Sequence, residues 1–166
     1  MQELQAAGDA ARGEAADPGA GLVEAVLRLR RSSPSRLLQH DLYQVGDAEL
    51  TPVQVDALEC LARRPVWRMH ELARHLGIDP STATRTVDPL VRLELAEREA
   101  DPANRRYVIV RASRRGQAVS RRIGAARLAL MHEVLAPMPV ADRARLTELL
   151  TRYVDLIEEY AERARG

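Results

Sequence analysis

The chain has 166 residues, a single cysteine (Cys60), no phenylalanine and a formal net charge of +1, which by itself says nothing about nucleic acid. This length fits one domain, or one domain with a helical extension, and the lone cysteine excludes an internal disulfide. Because no apolar run approaches the ~20 residues that span a bilayer, and residues 1–20 lack the apolar core of a signal peptide, we expect a cytoplasmic protein without a membrane partner.

The N-terminal part is predicted to be a tail followed by a helix. Residues 1–20 have no large apolar groups and are predicted to be a disordered tail. Residues 21–50 are predicted to form a dimerisation helix that continues to Gly46. Because proline disrupts a helix interior, we expect this helix to be kinked near Pro34.

Helix start signals recur along residues 51–92. Thr51 to Gln54 has the pattern of a capping box with proline at the first helical position, and residues 66–68 are predicted to be a short strand that pairs with a later hairpin. Gly77 tolerates the left-handed backbone of a helix end, and Asp79 offers an N-cap oxygen just before a proline. The helix that ends before Gly77 and the helix that begins after Asp79 are thus joined by a tight turn, which predicts a helix-turn-helix. An ordinary helical hairpin is the alternative.

The second helix of this pair is predicted to have one buried face and one polar face. At about 100° per residue, the buried face comprises Ala83, Val87, Leu90 and Val91, and the opposite face comprises Ser81, Arg85, Asp88 and Arg92. Hydroxyls and a guanidinium in the first turns suit insertion into a DNA major groove. Arg85 is predicted to read a guanine or to contact phosphate. Three hydroxyls are predicted to contact phosphates or water-bridged bases: those of Ser81, Thr82 and Thr84.

Two strand-like segments follow this helix, Leu95 to Ala100 and Tyr107 to Arg111. The turn between them, residues 101–106, contains Asp, Pro and Asn and ends in Arg105 and Arg106. A helix-turn-helix followed by a hairpin with a basic tip is a winged helix. The tip arginines are predicted to reach a phosphate or a narrow minor groove, and a solvated hairpin tip is the alternative.

The charge distribution supports this interpretation of residues 51–112. Residues 63–122 contain 14 arginines and 7 acidic residues, a net charge of +7, whereas the rest of the chain has 11 arginines and 17 acidic residues, a net charge of −6. The basic surplus therefore lies on the winged-helix segment, as a phosphate-facing surface requires.

Residues 113–166 are predicted to be C-terminal dimerisation helices. Ser113 can cap a long helix that ends near Ala136, and Pro137 and Pro139 then make a corner. The last helix has an apolar stripe wider than one neighbour needs: Leu146, Leu149, Leu150, Tyr153, Val154, Ile157 and Tyr160. Because much of the 46% hydrophobic content is alanine, a thin core is expected, and we predict that terminal helices pair in a homodimer. The predicted fold class is mainly α with a small β-wing (α+β).

Several motifs occur together in a characteristic order: Leu50-Thr-Pro-x-Gln54, Glu71-Leu-Ala-x-x-Leu-Gly77, Ser81-Thr-Ala-Thr-Arg85, Leu90-Val91, Arg106 and Ala112-Ser-x-x-Gly116. In their order and spacing they resemble the MarR family of bacterial transcriptional regulators, and the similarity covers about residues 21–160. The resemblance implies a triangular homodimer that binds a pseudo-palindromic operator, with repression relieved by a small ligand or an oxidant.

Three residues depart from the family pattern. Asn104 stands where an aspartate usually orients the wing arginine. Glu94 stands where glycine is frequent, so the turn there is expected to be made differently. Pro89 lies inside the predicted recognition helix, where it should remove a hydrogen bond to the Arg85 carbonyl and bend the last turns.

An effector pocket, expected where the dimer helices meet the winged domain, has three candidate lining residues: His40, Tyr43 and Trp67. The expected effector is a small aromatic or phenolic compound, and ordinary packing is the alternative for these side chains.

Some relatives resemble peroxide sensors that carry a reactive cysteine near the start of the first helix. Since Cys60 lies in the second helix, we predict a buried, inert thiol.

The sequence has no catalytic constellation, no phosphate-cradling glycine loop and no clustered metal ligands, so we expect neither an enzyme nor a cofactor. The predicted function is that of a DNA-binding transcriptional regulator, a repressor by expectation, whose partners are double-stranded DNA and a second copy of the chain. Two alternatives stay open: a winged-helix dimerisation or protein-interaction module, and a non-specific architectural DNA binder.

Overall fold

The computed structural model describes residues 17–31 and 42–164. The chain divides into two units, with the boundary between Glu49 and Leu50. In the first unit, helix α1 spans Pro18–Arg31, and the strands β1 and β2 form an antiparallel hairpin over Gln44–Val45 and Ala48–Glu49.

Two predictions for this first unit need correction. Helix α1 begins at Pro18, inside the segment predicted to be a disordered tail. The prediction of a helix continuing to Gly46 is wrong, because the chain turns there between β1 and β2. Gly46 has φ 63°, a left-handed conformation that suits the tight turn of a two-stranded hairpin. The predicted kink near Pro34 lies outside the described residues.

The second unit contains the remaining elements: α2 (Pro52–Arg63), β3 (Trp67–Arg68), α3 (Met69–His75), α4 (Pro80–Arg92), β4 (Ala96–Asp101), β5 (Asn104–Ala112), α5 (Arg114–Leu135) and α6 (Val140–Arg163). The antiparallel sheet has the order β3-β5-β4, so the short strand predicted at residues 66–68 does pair with the hairpin. The predicted fold class, mainly α with a small β-wing, is confirmed. Among the described residues, no helix combines the length and apolar character that a membrane span needs.

The N-terminal caps of three helices are formed as predicted. The Thr51 side chain accepts a hydrogen bond from the Gln54 N–H, and the Gln54 side chain accepts one from the Thr51 N–H, which completes a capping box on α2. Asp79 caps α4, and Ser113 caps α5 through the Gly116 N–H. These local bonds explain why the three helices begin where the sequence indicated.

Two residues after each of the helices α3 and α4, the chain has a residue with left-handed backbone. Gly77 has φ 65° after α3, and Glu94 has φ 58° after α4. The N–H of the next residue, Leu95, donates a hydrogen bond to the Leu90 carbonyl over 2.8 Å. This is the bond that defines a Schellman cap. The expectation that Glu94 changes this turn is therefore wrong: the glutamate adopts the conformation that glycine favours, at a backbone cost of about 1–2 kcal/mol.

The wing turn is shorter than the sequence suggested. Residues 101–106 were expected to form it, but β4 ends at Asp101 and β5 begins at Asn104, leaving two residues in the loop. The Asp101 carboxylate accepts a hydrogen bond from the Ala103 N–H over 2.9 Å, and this bond stabilises the tight turn. Arg105 and Arg106 consequently lie in the first residues of β5 and not in the turn.

The core of the second unit lies between α2, α4, the sheet and the first turns of α5. Its fully buried large side chains include Leu50, Val55, Leu58, Leu61, Leu72, Val87, Leu90, Leu95, Val110 and Ile123. Helix α5 passes so close to the end of α4 that a Cβ added at Gly116 would lie 1.9 Å from the Leu95 carbonyl oxygen. Helix α6, in contrast, has no buried residue.

Candidate nucleic-acid interface

Helix α4 has the two faces that its sequence predicted. Ala83, Val87 and Leu90 are buried, together with Thr86, which the sequence analysis did not place in the core. Ser81, Thr84 and Arg85 are exposed on the other side, and the helix continues through Pro89 to Arg92. Three of the four α4 residues predicted to contact DNA therefore share one solvent-exposed surface, whereas Thr82 is half-buried.

The hydroxyl groups of the first turn of α4 are bound to the carboxylate that caps it. Asp79 Oδ1 accepts from the backbone N–H groups of Ser81 and Thr82, both at 2.9 Å, and from Ser81 Oγ at 2.5 Å. Asp79 Oδ2 accepts from Thr82 Oγ1 at 2.5 Å. The hydrogen bonds from the Ser81 hydroxyl, and then from Thr82, hold the pKa of Asp79 well below its usual range. Asp79 is therefore an ionised acceptor at neutral pH.

The Arg85 guanidinium is available for an external ligand. Within the described residues it makes no ion pair or hydrogen bond, although it lies one turn after Ser81 on the exposed side. The acidic residue nearest to it along the polar face, Asp88, pairs instead with Arg98 of β4 at 2.8 Å. The sheet thus neutralises Asp88 and leaves Arg85 uncompensated.

The wing presents Arg105 and Arg106 at the start of β5, where both side chains are exposed. Asn104 occupies the position of the aspartate found in the family, and its Oδ1 accepts a hydrogen bond from the Arg106 backbone N–H over 3.1 Å. The amide thus binds the Arg106 backbone, and the Arg106 guanidinium makes no ion pair among the described residues.

An ion pair that the sequence analysis missed fixes the loop end of the wing. Arg68 of β3 contacts Asp101 Oδ2 through both Nε and a terminal nitrogen at 2.9 Å, and its guanidinium lies 5.0 Å from the centroid of the Tyr107 ring. Asp101 is only 6% exposed. The Ala103 N–H, and after it the Arg68 guanidinium, hold the pKa of Asp101 below its usual value. Arg68 therefore joins β3 to the residue from which the two-residue wing loop starts.

The charges of residues 63–122 are divided into two groups. All the acidic residues except Asp79 pair with arginines: Glu71 with Arg64, Asp88 with Arg98, Glu94 with Arg115, Glu97 and Glu99 with Arg111, and Asp101 with Arg68. The arginines without an ion pair to any described residue are Arg74, Arg85, Arg92, Arg105, Arg106, Arg114 and Arg121. The unpaired group includes all three arginines that the sequence predicted to contact DNA.

The candidate effector residues make ordinary packing contacts where they are described. The Trp67 indole donates a hydrogen bond to the Cys60 carbonyl over 3.0 Å, and its ring lies 4.6 Å from the Arg64 guanidinium and 5.0 Å from the His75 ring. Tyr43 is buried, whereas His40 lies outside the described residues. Their role in binding an effector stays a prediction.

A cavity of about 570 Å³ beside α4 is lined by neither Tyr43 nor Trp67. Its lining includes Met69, His70, Thr84, Arg98, Arg106 and Tyr107.

The Cys60 thiol is half-buried, and this burial raises its pKa, which lowers the thiolate fraction and favours an inert thiol.

The sequence model of the MarR family matches residues 50–108, which run from the start of α2 into the wing. Over these residues the chain is similar to the MarR family. The resemblance inferred from its motifs is thereby confirmed, and MarR-family members are transcription regulators and not enzymes. A comparison with curated protein sequences finds no match.

Solved structures with the MarR-family architecture extend the similarity beyond the matched domain. RV1404 from Mycobacterium tuberculosis is 27% identical, with a TM-score of 0.68 over 86% of this chain and 95% of that chain. PcaV from Streptomyces coelicolor, solved with its natural ligand, is 25% identical, with a TM-score of 0.61 over 85% and 94%. FabT from Streptococcus pneumoniae, solved with DNA, has a TM-score of 0.69 over 82% and 98%, but at 16% identity it shows the shared fold alone.

Proposed function

We propose that the chain is a homodimeric, sequence-specific DNA-binding regulator of transcription that inserts α4 into the major groove of a pseudo-palindromic operator. The observation that carries this proposal is the division of charges in the winged helix. Carboxylates neutralise the arginines that join structural elements, whereas Arg85, Arg105 and Arg106 have no such partner on exposed surfaces. Unpaired guanidinium groups beside an exposed helix are what phosphate and guanine binding require.

Helix α4 and the wing divide the contacts between them in this proposal. Arg85 extends from the exposed face of α4 and can bind the two major-groove acceptors of a guanine. Arg105 and Arg106 lie on the wing hairpin, whose loop end is held by the Arg68–Asp101 ion pair, and they contact phosphates or the adjacent minor groove. The rigid attachment of the wing supports a defined distance between these two sets of contacts.

Dimerisation is supported by the terminal helices of the second unit. Large apolar side chains on α5 and α6 are 47% to 69% exposed: Leu128, Met131, Val134, Leu149, Leu150, Val154, Leu156, Ile157 and Tyr160. Large apolar side chains exposed along two helices in this way indicate a protein interface. Two copies joined there present two recognition helices, which matches the two-fold symmetry of a pseudo-palindromic site.

Selection of binding sites from a random duplex library by the full-length chain tests this function. We expect an enriched motif with two-fold symmetry, whose affinity falls steeply with salt because about 0.9 counterions are released per phosphate contact. Salt-dependent binding without any motif would favour a non-specific architectural binder. Failure to enrich any duplex would overturn DNA binding and favour a protein-interaction module.

Two arginine variants separate base contacts from phosphate contacts. Arg85→Ala is expected to weaken the selected site by roughly 1–3 kcal/mol and to relax preference at one base pair. Arg106→Ala is expected to weaken all duplexes alike and to lower the salt slope by about one unit. Arg145→Ala removes the same charge from α6, where Arg145 pairs with Glu148, and should change neither quantity.

The dimer is tested by placing a charge in the apolar stripe of α6. Ile157→Glu is expected to give a monomer in sedimentation experiments at micromolar concentration and to abolish binding to the symmetric site. Arg152→Glu also adds negative charge to α6, but at about 100° per residue it lies on the opposite, polar face and should leave the dimer intact. A monomeric wild-type chain at that concentration would refute the dimer.

We also propose that the regulator is a cytoplasmic repressor released by a small aromatic or phenolic ligand. Support comes from PcaV, which was solved with its natural ligand at 25% identity. Addition of candidate phenols to the protein–operator complex should then raise the dissociation constant and restore transcription of a reporter placed behind the selected site. Activation of the reporter by the protein alone would contradict a repressor.

A further inference from the structure

The first turn of α4 has no free hydrogen-bond donor for a phosphate, although donors at this position usually make a helix N-terminus suitable for anions. The backbone N–H groups of Ser81 and Thr82 both donate to Asp79 Oδ1. Their hydroxyl groups also donate to Asp79, through Oδ1 and Oδ2 respectively. The Thr84 hydroxyl is engaged as well, because it donates to the Pro80 carbonyl over 3.1 Å.

These bonds determine which chemical role each hydroxyl can play. A hydroxyl has one hydrogen to donate and two lone pairs that accept, and an ionised carboxylate can only accept. With their hydrogens directed to Asp79, the oxygens of Ser81 and Thr82 therefore present only lone pairs to an external group. A phosphate oxygen is itself an acceptor and carries a negative charge, so it is a poor partner both for these oxygens and for the adjacent carboxylate.

Only two base groups in the major groove can donate to such an oxygen: the N6 amino group of adenine and the N4 amino group of cytosine. We propose that Ser81 and Thr82 are specificity-determining residues that accept hydrogen bonds from exocyclic amino groups of adenine or cytosine, and that Asp79 is the positioning residue that turns both hydroxyls into acceptors. This inference rests on the proposed function, since it assumes that α4 enters the groove. It replaces the expectation that these hydroxyls contact phosphates.

The inference gives α4 a definite order of hydrogen-bonding groups. Ser81 and Arg85 are four residues apart and lie on the same exposed side, about one helical turn from each other. Ser81 accepts, whereas the Arg85 guanidinium can only donate and suits the N7 and O6 acceptors of guanine. Each half of the operator should therefore contain a guanine and, at a neighbouring position under the helix N-terminus, an adenine or cytosine.

Base analogues provide the test at the level of single atoms. In the selected operator, each adenine is replaced by purine and each cytosine by 2-pyrimidinone, which lack the amino group. At one or two positions per half-site the wild-type affinity should fall roughly three- to tenfold, as the loss of one neutral hydrogen bond predicts. The same analogue should cause no further loss in Ser81→Ala or Thr82→Val. In Ser120→Ala, which removes a hydroxyl from α5, the loss should equal that of the wild type.

Asp79→Asn tests the positioning role with the helix cap retained, because asparagine is as good an N-cap as aspartate. Its amide nitrogen donates to Thr82 Oγ1 where the carboxylate accepted, so the Thr82 hydrogen is released and can donate to a keto oxygen. Sites selected by Asp79→Asn should shift at that position from adenine or cytosine toward guanine or thymine. A melting temperature close to the wild-type value shows that α4 is folded.

The outcomes distinguish this inference from the proposed function. Wild-type binding that is insensitive to every amino-group removal, or an unchanged motif in the Asp79→Asn variant, would overturn the inference while leaving DNA binding intact. Equal loss in Ser81→Ala, Thr82→Val and the wild type on the same analogue would assign that contact to another residue. A wild-type chain that binds no duplex would overturn the proposed function, and the inference with it.

Discussion

The winged helix and the last helix use leucine and isoleucine in opposite ways. In the winged helix, Leu58, Leu61 and Leu90 are at most 1% exposed. On α6, Leu150 is 51% exposed and Ile157 is 47% exposed. Burial of apolar surface stabilises a fold by about 25 cal/mol per Å². One chain therefore gains this stabilisation in the winged helix but realises only about half of it at these two positions of α6. The winged helix therefore has its own core, whereas α6 needs a second surface.

Leucine truncation in each region tests this difference and has the largest expected effect. Leu58→Ala should lower the free energy of unfolding by about 3 kcal/mol at every protein concentration, because it leaves a cavity inside one chain. Leu150→Ala should cost less than about 1 kcal/mol in the monomer, but it should lower the stability of the dimer, where the midpoint depends on concentration. Urea titrations at two protein concentrations provide the measurement. A midpoint independent of concentration in both variants would contradict the difference.

Two glycines of α5 differ in how closely other atoms of the chain approach them. Gly116→Ala should cost about 2 kcal/mol, because the new Cβ would lie 1.9 Å from the Leu95 carbonyl oxygen and the helix must move away. Gly124→Ala is the matched control on the same helix, since no atom lies within 4 Å of its added Cβ. It should gain about 0.5–1 kcal/mol through helix propensity. Thermal unfolding of the two variants gives both values, and a tolerated Gly116→Ala would show that α5 is not held at Leu95.

The helices of the winged domain were predictable because their starts depend on neighbouring residues. Thr51, Asp79 and Ser113 each bind a backbone N–H two or three residues later, so a short sequence pattern contains the whole signal. The apolar face of α4 was predictable for the same reason, since helical periodicity alone places Ala83 and Val87 on one side.

The features that were missed depend on distant residues or on competing local bonds. Arg68 and Asp101 are 33 residues apart, and nothing in either neighbourhood indicates that they meet. At residues 44–49, a tight hairpin around Gly46 occupies positions for which apolar spacing favours a helix. The role of Ser81 and Thr82 did have a local signal: an N-cap aspartate two and three residues before the hydroxyls can take their hydrogens. Cap recognition therefore has consequences for which groups a recognition helix offers to DNA.

The Arg68–Asp101 pair makes the stability of the wing dependent on pH. Because the folded state lowers the pKa of Asp101, its contribution is present above the unfolded value of about 3.9 and is lost as the pH falls through the folded value. Asp101→Asn should therefore be less stable than the wild type at pH 7, and the difference should shrink below pH about 4. Urea midpoints measured from pH 7 to pH 3 provide the test. A constant difference over this range would mean that the ionised carboxylate does not stabilise the wing.

The smallest expected effect concerns the backbone at the end of α4. Glu94 has φ 58°, which costs an L-residue about 1–2 kcal/mol, whereas glycine adopts this conformation freely but loses about 0.5–1 kcal/mol more in chain entropy on folding. Glu94→Gly should therefore raise the free energy of unfolding by about 0.5 kcal/mol. The lost ion pair with Arg115 subtracts little, because both side chains are largely exposed. Glu94→Ala removes the same carboxylate but keeps the Cβ and should show no gain. A Glu94→Gly variant less stable than Glu94→Ala would contradict this prediction. The chain entropy that glycine loses on folding would then outweigh the backbone strain that it relieves.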